Sequence, residues 1–237
     1  RHPDHGWLLW DAGYAPRMIA ATAHFPYALY RRITPLRLNP ALAVINQLAH
    51  WDLAPRAIRR VIISHFHADH VAGLPDFPDA ALIATRAACD GIAGRTGIAA
   101  LRRGFIPALL PADFAQRAQV LPTFTGDPLP GLGPTHDLFG DGSLRLMALP
   151  GHARGQMGLL AQTERGPLLF AADGCWLTRS ITENTPPHPI TNLLVDDPRA
   201  VRRTIAGLHA FAAARPDVTI IPSHCPDAFA REVLRWA

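Results

Sequence analysis

Lysine is missing altogether: the 237 residues hold 23 basic side chains, and every one is arginine. Against 19 acidic residues this leaves a net charge of +4 at pH 7. The arginine pairs Arg31-Arg32, Arg59-Arg60, Arg102-Arg103 and Arg202-Arg203 are scattered along the chain. Scattered charge describes a solvated surface, whereas a nucleic-acid partner needs a clustered basic face, so none is expected. Cysteine is scarce as well. Cys89, Cys175 and Cys225 make an odd number with no Cys-x-x-Cys spacing, which offers no disulfide framework and fits a reducing, cytoplasmic compartment. No apolar run approaches the ~18 residues of a membrane-crossing helix, so no membrane partner is expected either. The chain opens on Arg1 rather than Met, which leaves room for residues before it, a signal peptide among them.

What is present suits a compact protein: 49% hydrophobic and 18% charged residues, enough for a sizeable core. No internal repeat, low-complexity stretch or interdomain linker stands out, so residues 1–237 are expected to form a single domain. The densest chemistry is Ser64-His65-Phe66-His67-Ala68-Asp69-His70, directly after the apolar run Val61-Ile62-Ile63. Imidazole nitrogens and carboxylate oxygens are the usual ligands of zinc and similar cations. Side chains alternate along a strand, so His65 and His67 are predicted to point the same way and grip one ion. Asp69 and His70 follow, where a turn into a helix can aim them at a second ion.

His-x-His-x-Asp-His after a hydrophobic strand resembles the signature of the metallo-β-lactamase-fold hydrolases. The resemblance asks for three more ligands downstream, and each is found at the end of a strand-like run. They are His152 in Leu149-Pro150-Gly151-His152, Asp173 after Leu168 to Ala172, and His224 after Val218 to Ile221. The resemblance implies an α/β fold, the αββα sandwich of the metallo-β-lactamase type. It implies that His65, His67 and His152 hold one metal, Asp69, His70 and His224 the other, and that Asp173 bridges them. Two Zn²⁺ are the default, with iron, manganese or cobalt suited to the same donors. Two metals a few ångströms apart can hold a bridging hydroxide near neutral pH that attacks a substrate carbonyl. The resemblance implies Asp69 and Asp173 as the catalytic carboxylates.

Around this set, Gly6 to Gly13 reads as a strand closed by a glycine turn, similar to the family's Asp-Thr-Gly with Ala12 in place of Thr. Asp11 is either a further ligand or, by preference, a carboxylate that forms the turn or orients a histidine through its free ring nitrogen. Family members carry one or two strands before this turn, so the first N-terminal strands are expected to be missing. Tyr14 to Leu38, with Tyr14, Phe25, Tyr27 and Tyr30, is a partly helical excursion, either a substrate lid or a contact in a homodimer. Asn39-Pro40 predicts a helix through His50. Ala81 to Thr85 predicts a strand and Arg86 to Ala93 a helix. Gly94 to Pro134, broken by prolines, predicts loops with a strand near Val120, and Phe105, Ile106 and Phe124 as pocket candidates. Short strands follow at His136 to Phe139, Ser143 to Leu149, Met157 to Gln162 and Leu168 to Ala172, with Asp141-Gly142 as a hairpin turn. Asp197-Pro198 to Ala214 is the clearest helix, and another closes the chain from Asp227 to about Trp236.

The second half is most similar to the acyl-homoserine lactonases, the quorum-quenching branch. Pro150-Gly151-His152-Ala153-Arg154-Gly155-Gln156 resembles their Pro-Gly-His-x-x-Gly-His turn, with Gln156 for the second His. Asp173-Gly174-Cys175-Trp176 resembles their Asp-x-x-Tyr, with Trp176 for the tyrosine that would orient or protonate a lactone. An indole N–H donates a hydrogen bond but is no practical proton source. Trp176 is either a pocket wall or core packing; with Phe66 and Phe25 it makes up the candidate substrate-binding aromatics. Cys175 and Ser223 are expected to be packing residues. The expected partner is a small molecule, a lactone or ester with a partly apolar acyl group. The alternatives are a thioesterase of glyoxalase II type and a catalytically silent metal-binding member of the fold.

Overall fold

The structure, a computed structural model, describes residues 1–236, with side chains described as far as Glu232. It divides into two compact units, Arg1–Leu121 and Pro122–Ala237.

The first unit is built on a four-stranded, all-parallel sheet in the order β1-β2-β3-β4. Its strands are β1 (Trp7–Trp10), β2 (Ile58–Ile62), β3 (Ala81–Thr85) and β4 (Ala118–Leu121). Parallel neighbours cannot be joined by a tight hairpin, so every connection must cross over. The crossings carry helices α1 (Arg17–Ala21), α2 (Ala28–Ile33), α3 (Val44–Gln47), α4 (Ala68–Val71), α5 (Arg86–Ile92), α6 (Gly97–Leu101) and α7 (Phe114–Arg117). Val61, Ile63, Leu82 and Ala84 are buried in one apolar core with Phe77, Ile106 and Leu109. Phe105 and Ile106 lie in that core rather than lining an open pocket. Thr85 caps α5 by accepting from the Ala88 amide at 3.1 Å.

The helix expected from Pro40 to His50 is broken. A 3₁₀ turn over Pro40–Leu42, α3, and a second 3₁₀ turn over Leu48–Trp51 replace it. Asn39 does cap the first turn, through Ala41 N at 3.1 Å, but Ala43 takes extended angles and interrupts the helix. Of this stretch only Ala43 and Leu48 are buried, so little packing supports a long helix here.

The second unit carries a six-stranded sheet in the order β10-β9-β8-β7-β6-β5. Here β5 is Gly126–Leu129, β6 Gly133–Asp137, β7 Leu144–Ala148, β8 Met157–Ala161, β9 Leu168–Ala172 and β10 Thr219–Pro222. All pairs are antiparallel except β9 with β10. Its helices are α8 (Thr178–Thr182), α9 (Pro198–Ala214) and α10 (Pro226–Trp236). The Asp141-Gly142 turn does connect β6 to β7, with Asp137 clasping the Gly140 and Gly142 amides. The stretch 94–134 is more regular than its prolines suggest, since α6, α7, β4 and β5 all fall inside it.

Helix α9 is the main prop of this unit. Asp197 accepts from the Arg199 and Ala200 amides, Pro198 sits at the first turn, and Ile205, Leu208 and Phe211 are buried. Leu208 and Phe211 join Leu160, Leu169 and Leu149 in one core, while Val201 and Ile205, on earlier turns of the helix, line a cavity.

Candidate metal centre

In the first unit the metal loop hangs between the end of β2 and α4. The strand stops at Ile62, so His65 and His67 do not alternate along a strand as expected; they lie in the loop beyond it. They still come together, with ring centroids 4.5 Å apart, and His65 stands 4.0 Å from His70. The short helix α4 begins at Ala68 and carries Asp69 and His70, whose Oδ2 and Nε2 are 3.5 Å apart. His67 has a constraint that no motif announces. A Cβ at Gly104, which holds φ +61°, would lie 2.4 Å from His67 Cδ2, so only a glycine leaves this imidazole its place.

Asp11 ties the loop together. It sits at φ +59° after β1, an uncommon conformation for a side-chain-bearing residue and one often found at functional sites. Its Oδ1 accepts from the Ser64 amide, and its Oδ2 from the Ser64 hydroxyl and His70 Nδ1, each at 2.7 Å. Ser64 Oγ, donating to Asp11, accepts in turn from His65 Nδ1 at 2.9 Å. With Nδ1 engaged on both rings, Nε2 is the nitrogen left to a metal, which is how outer partners set the tautomer of metal-binding histidines. Asp11 thus has the orienting place expected of it. Ser64, beside His65 in sequence, is an orienting residue that no spacing singled out. Nearby, burial first and the negative charge of Asp69 second push the Tyr30 phenol well above its usual pKa.

In the second unit three sequence-distant residues meet on one carboxylate oxygen. His152 Nε2 is 3.2 Å and His224 Nε2 3.1 Å from Asp173 Oδ2. Trp176 Nε1 donates to the same oxygen at 2.9 Å. Asp173 is only 5% exposed, and a carboxylate that deep in protein needs partners of this kind. It follows Ala172, held at φ +46° where β9 gives way to the site. His152 is fixed by its turn: Gly151 stands at φ +127°, where a Cβ would meet Val201 N at 2.3 Å. Helix α9 and its cap clasp that turn, since Asp197 N donates to Gly151 O and Thr204 Oγ1 to Pro150 O. Gln156, standing where the resemblance expects a second His, closes the turn from within, donating through Nε2 to Leu149 O at 3.1 Å.

The substrate-facing candidates separate. Trp176 is half-buried and lines a cavity of about 160 Å³ with His152, Asp173, Val195, Val201 and Ile205. Phe66 is 4% exposed and packs edge-on against Phe105 and Phe114, which makes it part of the first unit's core rather than an accessible wall. Phe25 is 75% exposed. Cys175 is buried, as expected, and burial pushes its thiol up to about 11, so it stays protonated and inert. Ser223 is exposed rather than packed; its amide donates to Ala172 O.

Two donor sets of imidazole and carboxylate, one in each unit, are therefore preorganised with the chemistry a borderline cation selects. The profile of the metallo-β-lactamase superfamily matches residues 2–224. The chain belongs to that superfamily. It has the metallo-β-lactamase fold, and the α/β class expected from the sequence holds. Among curated proteins of the superfamily it is similar to the N-acyl homoserine lactonase AttM of Agrobacterium fabrum, 28% identical over 195 residues. That match takes in 78% of this chain and 65% of the relative, so the chain spans less than two thirds of the lactonase's length. Among solved structures it resembles an N-acyl homoserine lactone hydrolase with N-hexanoyl-L-homoserine at its catalytic metal centre, with TM-score 0.68 and 16% identity. That likeness covers 96% of this chain and 80% of the other. It also resembles AidC, a dizinc quorum-quenching lactonase, at TM-score 0.61 and 16% identity, over 95% of this chain and 70% of the other.

Proposed function

We propose that this metallo-β-lactamase-fold protein is a dinuclear hydrolase of a lactone or related ester with an apolar acyl group, an acyl-homoserine lactone first among the candidates. The observation that carries the reading is the meeting of His152, His224 and Trp176 on Asp173 Oδ2 beside a cavity walled by Val195, Val201 and Ile205. Residues 1–237 would act as one catalytic domain. His65, His67 and His152 would hold one ion, Asp69, His70 and His224 the second, and Asp173 both. Zinc is the expected metal. When bound, such ions polarise a carbonyl oxygen and lower the pKa of water towards neutrality.

The chain's own residues supply the rest. Asp11 and Ser64 direct Nε2 of His70 and His65 outward from their loop. The Pro150-Gly151 turn, pinned by α9, holds His152 against Asp173. The cavity offers an acyl chain an apolar surface beside the carboxylate, where burying each methylene is worth about 0.8 kcal/mol. Trp176 can donate a hydrogen bond but holds no proton for a leaving alkoxide.

The test is acid release by the zinc-loaded protein from short- and long-chain acyl-homoserine lactones, with thioesters and aryl esters alongside. Lactone turnover that is lost on chelation and restored by zinc is the expected result. Turnover of thioesters alone would replace the lactone with a glyoxalase II-like substrate, and no hydrolysis with both metals bound would overturn the proposal. Asp173→Asn is expected to lower turnover by well over the roughly 10–100-fold typical of an outer-sphere change.

A further inference from the structure

We infer that Trp176 is a positioning residue for the Asp173 carboxylate, so that its indole N–H serves the metal centre and not the substrate. The inference rests on reading Asp173 as a metal ligand. An indole has a single donor, and Trp176 Nε1 commits it to Asp173 Oδ2 at 2.9 Å. The Asp173-Gly174-Cys175-Trp176 turn produces this contact. Gly174 N donates to Ala171 O at 3.0 Å and tightens the chain directly after β9, which brings the indole back over the carboxylate three residues earlier. Gly174 is pressed close here, since a Cβ would come within 3.1 Å of both Ala171 O and Leu149 Cβ.

The ring touches the other two ligands as well. It stands edge-on to His152, centroids 5.7 Å apart at 78°, and to His224, 6.5 Å apart at 85°. One side chain therefore contacts all three candidate ligands of the second unit: a hydrogen bond to the carboxylate and an edge contact to each imidazole. An ionised carboxylate has about four lone-pair positions, so accepting one indole N–H leaves capacity for metal on the same group. The donor fixes which way the carboxylate faces, and the ring limits the tilt of both imidazoles. Outer partners of ligands act in this manner on metal affinity.

The experiment separates the N–H from the ring. Trp176→Phe keeps an aromatic edge against His152 and His224 and deletes the donor. Zinc affinity is read by competition with a chromophoric chelator, and ligand geometry by the visible spectrum of the cobalt-substituted protein. The expected result is zinc affinity weaker by roughly 10–100-fold, with an altered cobalt spectrum and an unchanged far-UV circular dichroism spectrum. Wild-type affinity and spectrum in Trp176→Phe would overturn the inference. Asp173→Asn serves as the control on the underlying reading: if it binds zinc like wild type, Asp173 is no ligand and that reading fails, whatever Trp176 does. Should Trp176→Phe not fold, indole ¹⁵N labelling of the five tryptophans supplies the second measurement. One side-chain N–H resonance is expected to move on Asp173→Asn, and none moving would refute the contact.

Discussion

At the scale of single residues, the site is held by atoms that carry no ligand chemistry themselves. Gly104 is the sharpest case, because its missing Cβ is space that the His67 ring occupies. Gly104→Ala is expected to displace that imidazole and cost at least roughly tenfold in zinc affinity, measured by chelator competition, while circular dichroism stays native. Asp11→Ala would remove the acceptor of His70 Nδ1 and of Ser64 together. It should weaken zinc by roughly 10–100-fold, and Asp11→Asn by less, since an amide oxygen still accepts. His65, His67, Asp69 and His70 could be read from the sequence because their residue types and spacing advertise ligation, whereas His152, Asp173 and His224 were picked out by the family resemblance. Gly104 could not be read, since nothing local to residues 94–104 says that a histidine from another loop lies against it. Trp176 was visible as a departure from the lactonase pattern, but its bond to Asp173 depends on the turn between them.

At the scale of elements, helix α9 illustrates how a local signal acquires a functional duty. Its Asp197-Pro198 start is legible in sequence, yet the same helix holds the turn bearing His152, Asp197 N donating to Gly151 O and Thr204 Oγ1, two turns on, to Pro150 O. Hydrogen bonds from the Ala200 amide first, and from Arg199 after, hold the Asp197 carboxyl below its usual pKa. A carboxyl depressed in the folded state stabilises above its unfolded pKa, and that stabilisation fades as pH falls through the folded value. Asp197→Ala should therefore lower the thermal midpoint at pH 7, and the gap to wild type should narrow below about pH 4 in melts across a pH series. Deeper in the helix, Phe211 is fully buried, and Phe211→Ala is expected to cost about 3–5 kcal/mol in urea unfolding. The 39–50 segment shows the opposite outcome. Its cap is as clear as that of α9, but few of its residues reach the core, and a cap without burial does not sustain a helix.

At the scale of the whole molecule, no helix among the described residues is long and apolar enough to cross a membrane. A metal that binds only the folded chain adds to its stability by mass action, so chelation should lower the thermal midpoint and zinc should raise it with concentration. A midpoint that ignores both would sink the proposed metal site. The sequence by itself determined the α/β class, most strands, the α9 and α10 helices and, with the family resemblance, which residues are candidate ligands. Those rest on short-range physics: apolar runs, capping side chains, glycine turns and donor atoms packed into a few positions. Tertiary structure alone decided that Phe66 serves the core, that Asp11 and Ser64 engage Nδ1 of His70 and His65 and leave Nε2 as the candidate ligand atom, and that the Trp176 N–H donates to Asp173. Each of these depends on where a side chain from another element arrives, a position set by packing and backbone geometry and written in no local pattern.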